Sequence, residues 1–374
     1  MKHVVIVGAG ILGASTAYLL SRKGQKVTII DRKDPGQATD AAAGIVCPWL
    51  SQRRNKAWYR LVKGGARFYP TLIEQLKEDG EEETGYKRVG ALALHNDEQK
   101  REKMLDRVLK RKEDAPEIGE VTLKSAEETH KSFPPLSEEF FSIHVSGAAR
   151  VNGRALRDSL IRAAKKRGAT FIQGDAKLLK EDYGNVCVKV GEERIEGDHV
   201  IITAGAWAKE LFEPLQLDFL VSPQKAQIVH LHVQEEDTSE WPVVMPPNNQ
   251  YMLAFEDGKI VVGATHEDDV GFDLRVTAGG LEEVITKALA VAPKLAESTV
   301  EETRVGFRPF TPGFLPVFGY VPTLRNCLVA NGMGASGLTA GPYVGLQLAK
   351  MVLGEETDLD PNDYDVAQAF KSIE

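Results

Sequence analysis

At 374 residues, with 43% apolar and 27% charged side chains, the chain has the composition of an ordinary globular protein and is too long for one comfortable core, so two lobes are expected. A formal net charge of −8 argues against a nucleic-acid surface. Apolar runs too short to span a bilayer, and a strand starting directly after Met1, point to no transmembrane segment and no signal peptide. Three scattered cysteines, Cys47, Cys187 and Cys327, show neither CxxC nor metal-ligand spacing, which suggests a reduced cytoplasmic setting without disulfides or zinc.

Val4 to Val7 reads as a buried parallel strand, and the chain then turns through Gly8, Gly10 and Gly13 into an amphipathic helix. In such a unit the first glycine permits the turn, the second lets backbone approach a pyrophosphate, and the third allows close helix–strand packing. The helix start offers free N–H groups and a positive dipole end to phosphates. A second strand, Val27 to Ile30, ends at Asp31, whose carboxylate suits ribose hydroxyls and disfavours a 2′-phosphate. Strand, glycines, helix, strand and acid in this order indicate a dinucleotide site, with a mere glycine-rich turn as the alternative.

A polar turn leads to residues 39–49, TDAAAGIVCPW, where small residues would let backbone lie against a flat or anionic ligand and Thr39 could serve a phosphate. A plain loop into a helix fits equally well. Residues 56–78 carry an apolar stripe at helical spacing, a core helix; the nearby Arg53, Arg54, Lys56, Arg60, Lys63 and Arg67 read as a solvated face rather than a binding patch. A strand is expected at 86–95, then a charged, mainly helical excursion over 96–140, with His95 and His130 as surface histidines. Strand character returns at 142–151, a helix at 153–167, and strands at 169–174, 185–190 and 198–203. The last runs into Thr203, Ala204, Gly205, Ala206 and Trp207, a second close-approach turn at a strand's C-terminal end, where ligands of open α/β sheets gather.

Alternating segments near 225–233, 250–256 and 259–265, with a hairpin turn at 256–258, change the class to antiparallel sheet, as a substrate lobe inserted into a nucleotide lobe would. A helix follows at 278–291. Residues 305–319, VGFRPFTPGFLPVFG, hold three prolines and three glycines, which is read as excluding regular structure over most of the stretch, while Phe307, Phe310, Phe314 and Phe318 call for burial. Arg308 among them needs an anion, either an internal carboxylate, the commoner outcome, or one brought by a substrate. Residues 326–354 give a strand, a glycine-rich loop and a helix, and 355–374 an acidic tail with a short closing helix.

Together these stretches resemble the FAD-dependent oxidoreductases of the D-amino-acid oxidase family, which includes glycine oxidase, sarcosine oxidase and D-amino-acid dehydrogenase, over nearly the whole chain. The resemblance implies an α/β fold: a Rossmann-type FAD-binding domain (1–85, 142–215 and 305–374) interleaved with an α+β, antiparallel-sheet substrate domain (86–141 and 216–304). It implies non-covalent FAD, because Gly306 and Phe307 supply no cysteine for a flavin bond. The matching positions for the cofactor are Gly8, Gly10, Ile11, Leu12, Gly13, Asp31, Arg32, Thr39, Ala42, Ala43, Gly44, Ala204, Gly205, Trp207, Gly334, Ala335, Ser336, Gly337, Leu338 and Thr339. Arg308 then matches the arginine that clamps a substrate carboxylate. Tyr251 is a candidate second hydrogen-bonding group and Trp49 and Phe255 are candidates for pocket wall, each with plain core as the commoner alternative, and His266 is either surface or site.

The implied reaction is oxidation of a small amino acid or secondary amine by hydride transfer from Cα to flavin N5, giving an imine that hydrolyses to a 2-oxo acid, with oxygen or another acceptor taking the electrons. Several positions depart from the family pattern. Gly313 replaces its usual Asp, Ala335 an arginine of some glycine oxidases, and Val261 and Val262 precede Gly263 where amine oxidases carry a lysine. These departures keep open a dehydrogenase, or a flavin-binding subunit that needs a partner chain; a nicotinamide dehydrogenase is the rival cofactor reading, and homo-oligomer formation is left open.

Overall fold

The computed structural model describes residues 1–234 and 236–371. Its first sheet has six strands in the order Val317–Tyr320, Cys327–Asn331, His199–Ile202, His3–Val7 (β1), Lys26–Asp31 (β2) and Thr170–Gln173. All neighbours are parallel except the first pair. β1 is apolar in every position after His3 because both faces are covered, as a central parallel strand requires. Between β1 and β2 runs helix Ile11–Arg22 (α1), almost wholly buried.

α1 can approach its neighbours closely because they present glycines. A Cβ on Gly13 would stand 1.9 Å from the Gly8 carbonyl oxygen, and one on Gly345, in helix Gly337–Leu353, 3.0 Å from the Thr16 nitrogen. The strand–turn–helix therefore tolerates nothing larger than glycine at position 13.

The second sheet has eight strands, in the order Thr299–Phe310, Ser222–His232, Lys259–Gly263, Tyr251–Ala254, Val243–Met245, Ala91–His95, Phe141–Val145 and Val121–Lys124. It is antiparallel apart from the pair Val243–Met245 and Ala91–His95. Helix Ala278–Val291 covers one face over an apolar core that includes Val229, Leu231, Met252 and Val262. Helix Lys56–Glu78 forms as its stripe predicts, with Asn55 accepting from the Trp58 N–H at its start.

Four expectations need correction. Residues 305–310 are regular: they complete the twelve-residue edge strand Thr299–Phe310, which runs across the anticipated lobe boundary at 305. Pro309 fits there because the Phe307 N–H already points outward to the Gly36 carbonyl, and the alternate residue aims its missing donor the same way. Phe314 is 59% exposed, carried on a turn with Gly313 at φ 70°, while Phe307 and Phe318 are buried. His95 is buried, since its strand lies inside the eight-stranded sheet, and the charged excursion also supplies that sheet's outer strand, Val121–Lys124. Instead of a closing helix, the tail makes two 3-10 turns, Pro361–Tyr364 and Val366–Ala369; its last three residues lie outside those described.

Candidate active site

The carboxyl ends of β1, β2, His199–Ile202 and Cys327–Asn331 converge on an elongated cavity with about 1270 Å³ of empty space, including its open mouth. Convergence at strand C-termini is where open parallel sheets bind nucleotides. At one end lie Gly8, Gly10 and the N-terminus of α1, whose cap residue Gly10 makes no side-chain cap bond. The Thr39 hydroxyl accepts from the Ile11 N–H at 3.0 Å, fixing the segment Ala38–Ala41 across that end. Thr203 donates to the Gly8 carbonyl at 2.8 Å and Asn331 to the Gly205 carbonyl at 2.8 Å, so side chains tie the glycine turns together.

Asp31 closes the same end. Its carboxylate accepts from the Ala9 N–H (2.6 Å), the Lys33 N–H (2.6 Å) and the Gln37 side-chain amide (3.0 Å). Further along, Thr39, Ala42, Ala43 and Gly44 form one wall, Ala204, Gly205 and Trp207 another, and Gly334, Ala335, Gly337 and Leu338 the base of the last helix. A slot walled by backbone and small side chains, with helix N-termini at two places and an acid beyond the first strand, fits a flat ring joined through a pyrophosphate to a ribose.

The far end is built differently. Ala226 and Ile228 come from Ser222–His232 (β3), Tyr251 from the strand two places further in, and Arg308 from Thr299–Phe310 (β4). Arg308 is opposite Gln224 in register and donates to its Oε1 at 3.1 Å; Gln224 in turn donates to Asp268 at 2.9 Å. No carboxylate lies within 4.0 Å of Arg308 among the described residues; the acid Asp268 reaches it only through Gln224. Burial pushes the Tyr251 phenol up, while the neighbouring Arg308 guanidinium pulls the other way.

Some candidates lie outside this lining. Gly13 packs under Gly8; Arg32 is held by Asp34, Asp175 and Glu210; Ser336 accepts from the Trp58 indole at 3.1 Å; Thr339 donates to the Ile45 carbonyl at 2.9 Å. Trp49 is deep in the core, Phe255 lies under the Arg150 guanidinium, and His266 is exposed. Gln224, Asn331, Met333 and the outward-packed Lys225 were not legible beforehand. Lys225 is fully buried between Glu267 (3.5 Å) and Asp273 (3.3 Å), which pins the segment after Gly263 to the back of β3.

A family model described as FAD dependent oxidoreductase (DAO) matches residues 3–351. The chain belongs to this family. It is 62% identical to "Uncharacterized oxidoreductase YurR" of Bacillus subtilis (strain 168), covering 99% of this chain and 100% of that one. The glycine oxidase of Pseudomonas aeruginosa PAO1 is 31% identical, over 97% and 98%. Among solved structures, iminodiacetate oxidase from Chelativorans sp. BNC1 superposes with a TM-score of 0.94 at 47% identity, covering 97% of this chain and 98% of that one. The DAO-family cofactor is FAD, and the cavity has two chemically distinct ends, one lined by backbone amides and Asp31, the other by apolar side chains, Tyr251 and Arg308. No helix is long and apolar enough to cross a membrane among the described residues.

Proposed function

We propose that this DAO-family protein oxidises a small α-amino acid or N-substituted glycine at Cα, with non-covalently held FAD. The single observation that carries the reading is Arg308, a guanidinium at the chamber end of the cavity, held by Gln224 and lacking any internal carboxylate among the described residues. A planar fork of this kind suits a carboxylate bidentately. The likeness to iminodiacetate oxidase and glycine oxidase supports an amine next to that carboxylate.

The cofactor reading rests on Gly8, Gly10, Asp31, Thr39, Gly205 and Gly334 as its cradle, with residues 1–85, 142–215 and 305–374 as the FAD-binding part and 86–141 and 216–304 as the substrate part. No cysteine or histidine lines the cavity among the described residues, which supports non-covalent binding. Bound FAD supplies the acceptor for a hydride from the substrate Cα.

The chain's own residues bind and orient. Arg308 fixes the carboxylate, and the Tyr251 phenol, kept protonated by burial, donates a further hydrogen bond. Ala226 and Ile228 give an apolar wall that excludes water. The titratable side chains lining the cavity are Asp31, at the nucleotide end, Tyr251 and Arg308, so no group is placed to act as a general base at the chamber end among the described residues. The substrate nitrogen therefore has to arrive unprotonated, its lone pair forming the C=N bond as hydride leaves Cα. Orientation supplies the catalysis. The product imine hydrolyses in water to a 2-oxo acid.

The test is anaerobic mixing of the FAD-loaded protein with glycine, N-methylglycine, iminodiacetate, L-proline and D-amino acids. Bleaching of the flavin by at least one supports the proposal; none bleaching it, at any concentration, rejects it. Peroxide on readmitting air assigns the electrons to oxygen, and its absence assigns them to another acceptor.

A further inference from the structure

Met333 and Ala335, in the lining of the cavity, also line a second recess, bounded by Arg53, Trp58, Phe310 and Gly313. Phe310 is the second residue after Arg308 on β4, so the two share a face and stand about 6.7 Å apart along the strand. The two spaces are thus neighbours across Met333 and Ala335, with Arg308 lining one and Arg53 the other.

Arg53 is partly buried, whereas the adjacent Arg54 and Lys56 are exposed. Arg60, Lys63 and Arg67, on the helix that follows, each find an acid: Asp363, Asp114 and Glu117. Arg53 has no carboxylate within 4.0 Å among the described residues. Its guanidinium lies 4.9 Å from the centroid of the Trp58 ring and donates to the Phe314 carbonyl, which uses one of its five N–H donors. It is partly buried, and burial alone holds its pKa below the usual arginine value.

The recess is kept open by two small residues. Ala335 stands at the boundary the two spaces share, and its methyl leaves room there that a longer side chain would take. Gly313, at φ 70°, lines the recess with nothing within 4 Å of where a Cβ would stand, so this turn brings neither bulk nor an acid to Arg53. A stacked, half-desolvated guanidinium facing an open recess calls for an anion.

We propose that Arg53 is a second carboxylate anchor, so that the preferred substrate is a secondary amine whose nitrogen substituent ends in its own carboxylate. Arg308 takes the carboxylate beside the reacting carbon, and Arg53 takes the distal one across the boundary at Ala335. This rests on the amine-oxidation reading above and narrows its substrate class to amino dicarboxylates. Monocarboxylates such as glycine and N-methylglycine fill only the Arg308 end and leave Arg53 without its partner.

Two measurements on the FAD-loaded protein test this. The first compares kcat/KM for iminodiacetate and N-methylglycine in the native chain, Arg53→Met, Arg53→Lys and Ala335→Leu. The ratio should favour iminodiacetate in the native chain, fall tenfold or more in Arg53→Met and Ala335→Leu, and recover partly in Arg53→Lys. The second needs no turnover: calorimetric titration with oxydiacetate and methoxyacetate, ether analogues with two carboxylates and one. Oxydiacetate should bind at least tenfold tighter to the native chain, and Arg53→Met should erase that difference. Equal binding of the two ethers by the native chain, or a substrate ratio that ignores Arg53 and Ala335, overturns the subsite. If flavin is reduced by both amines yet the ratio ignores these residues, only the subsite falls; if neither amine, nor any other tested, reduces it, the underlying reading falls too.

Discussion

Replacing Arg308 with lysine is the most informative single change, because it keeps the charge and removes the fork. In the structure the guanidinium is oriented by Gln224, itself held by Asp268, so its remaining N–H groups are set before any substrate arrives. Lysine places a point charge on a flexible stem and cannot make the bidentate pair. A hydrogen bond to a charged group contributes about 1.5–3 kcal/mol, and losing one of the pair weakens binding roughly 10- to 150-fold. The assay is anaerobic stopped-flow flavin reduction across amine concentrations, with Kd read from saturation and the limiting rate read separately. Kd should rise by that factor, with a smaller fall in the limiting rate as orientation loosens. Gln224→Leu, which frees the guanidinium without removing it, should cost about 0.5–1.5 kcal/mol, or two- to tenfold. A lysine variant that binds the amine as tightly as the native chain would show that Arg308 does not hold the carboxylate.

Three further perturbations probe the scaffold. Gly13→Ala puts a methyl 1.9 Å from the Gly8 carbonyl oxygen and 2.6 Å from the Thr203 hydroxyl, so it should cost about 3 kcal/mol or more and yield protein depleted in FAD; normal FAD content and melting temperature would contradict this. Lys225→Met removes the cation between Glu267 and Asp273 and should lower the urea midpoint, with Glu267→Gln restoring part of it; an unchanged midpoint would mean the ion pairs contribute nothing. His230 is held down to about 4, chiefly by burial and then by Arg304, with Glu302 opposing. A folded-state pKa below the unfolded one means the unfolded chain binds the extra proton first, so stability is full above pH 6.5 and falls as pH drops toward 4, by up to about 3 kcal/mol from this group. Urea midpoints at pH 7 and 5 should therefore differ less in His230→Gln than in the native chain, and an identical difference would refute the assignment.

Much of the cofactor end was legible because it is local. β1, its glycines, α1, β2 and Asp31 lie within 31 consecutive residues, and the period of the apolar pattern changes just where the glycines stand. The chamber end was harder to read because it is assembled across the eight-stranded sheet. Arg308 stood out as one cation among aromatics, but Gln224, 84 residues earlier, becomes its partner only through strand register. Lys225 was invisible for the same reason, since its two carboxylates follow on a segment some forty residues away. The run 305–310 misled because proline signals irregularity in a central strand, yet its strand is at the edge, where the missing donor faces outward. Arg53 was grouped with a solvated basic face; Arg60, Lys63 and Arg67 on the helix do pair with surface acids, and Arg54 and Lys56 are exposed, so only tertiary packing sets Arg53 apart.

The most direct test is a spectrum of the purified chain, reconstituted with FAD, desalted, and mixed without oxygen with iminodiacetate or glycine. The expected result is a yellow protein holding flavin that heat releases, since no covalent bond forms, and loss of the yellow band on adding the amine. A colourless chain that takes up no FAD, or a flavin that stays oxidised with every amino acid and secondary amine, would contradict it.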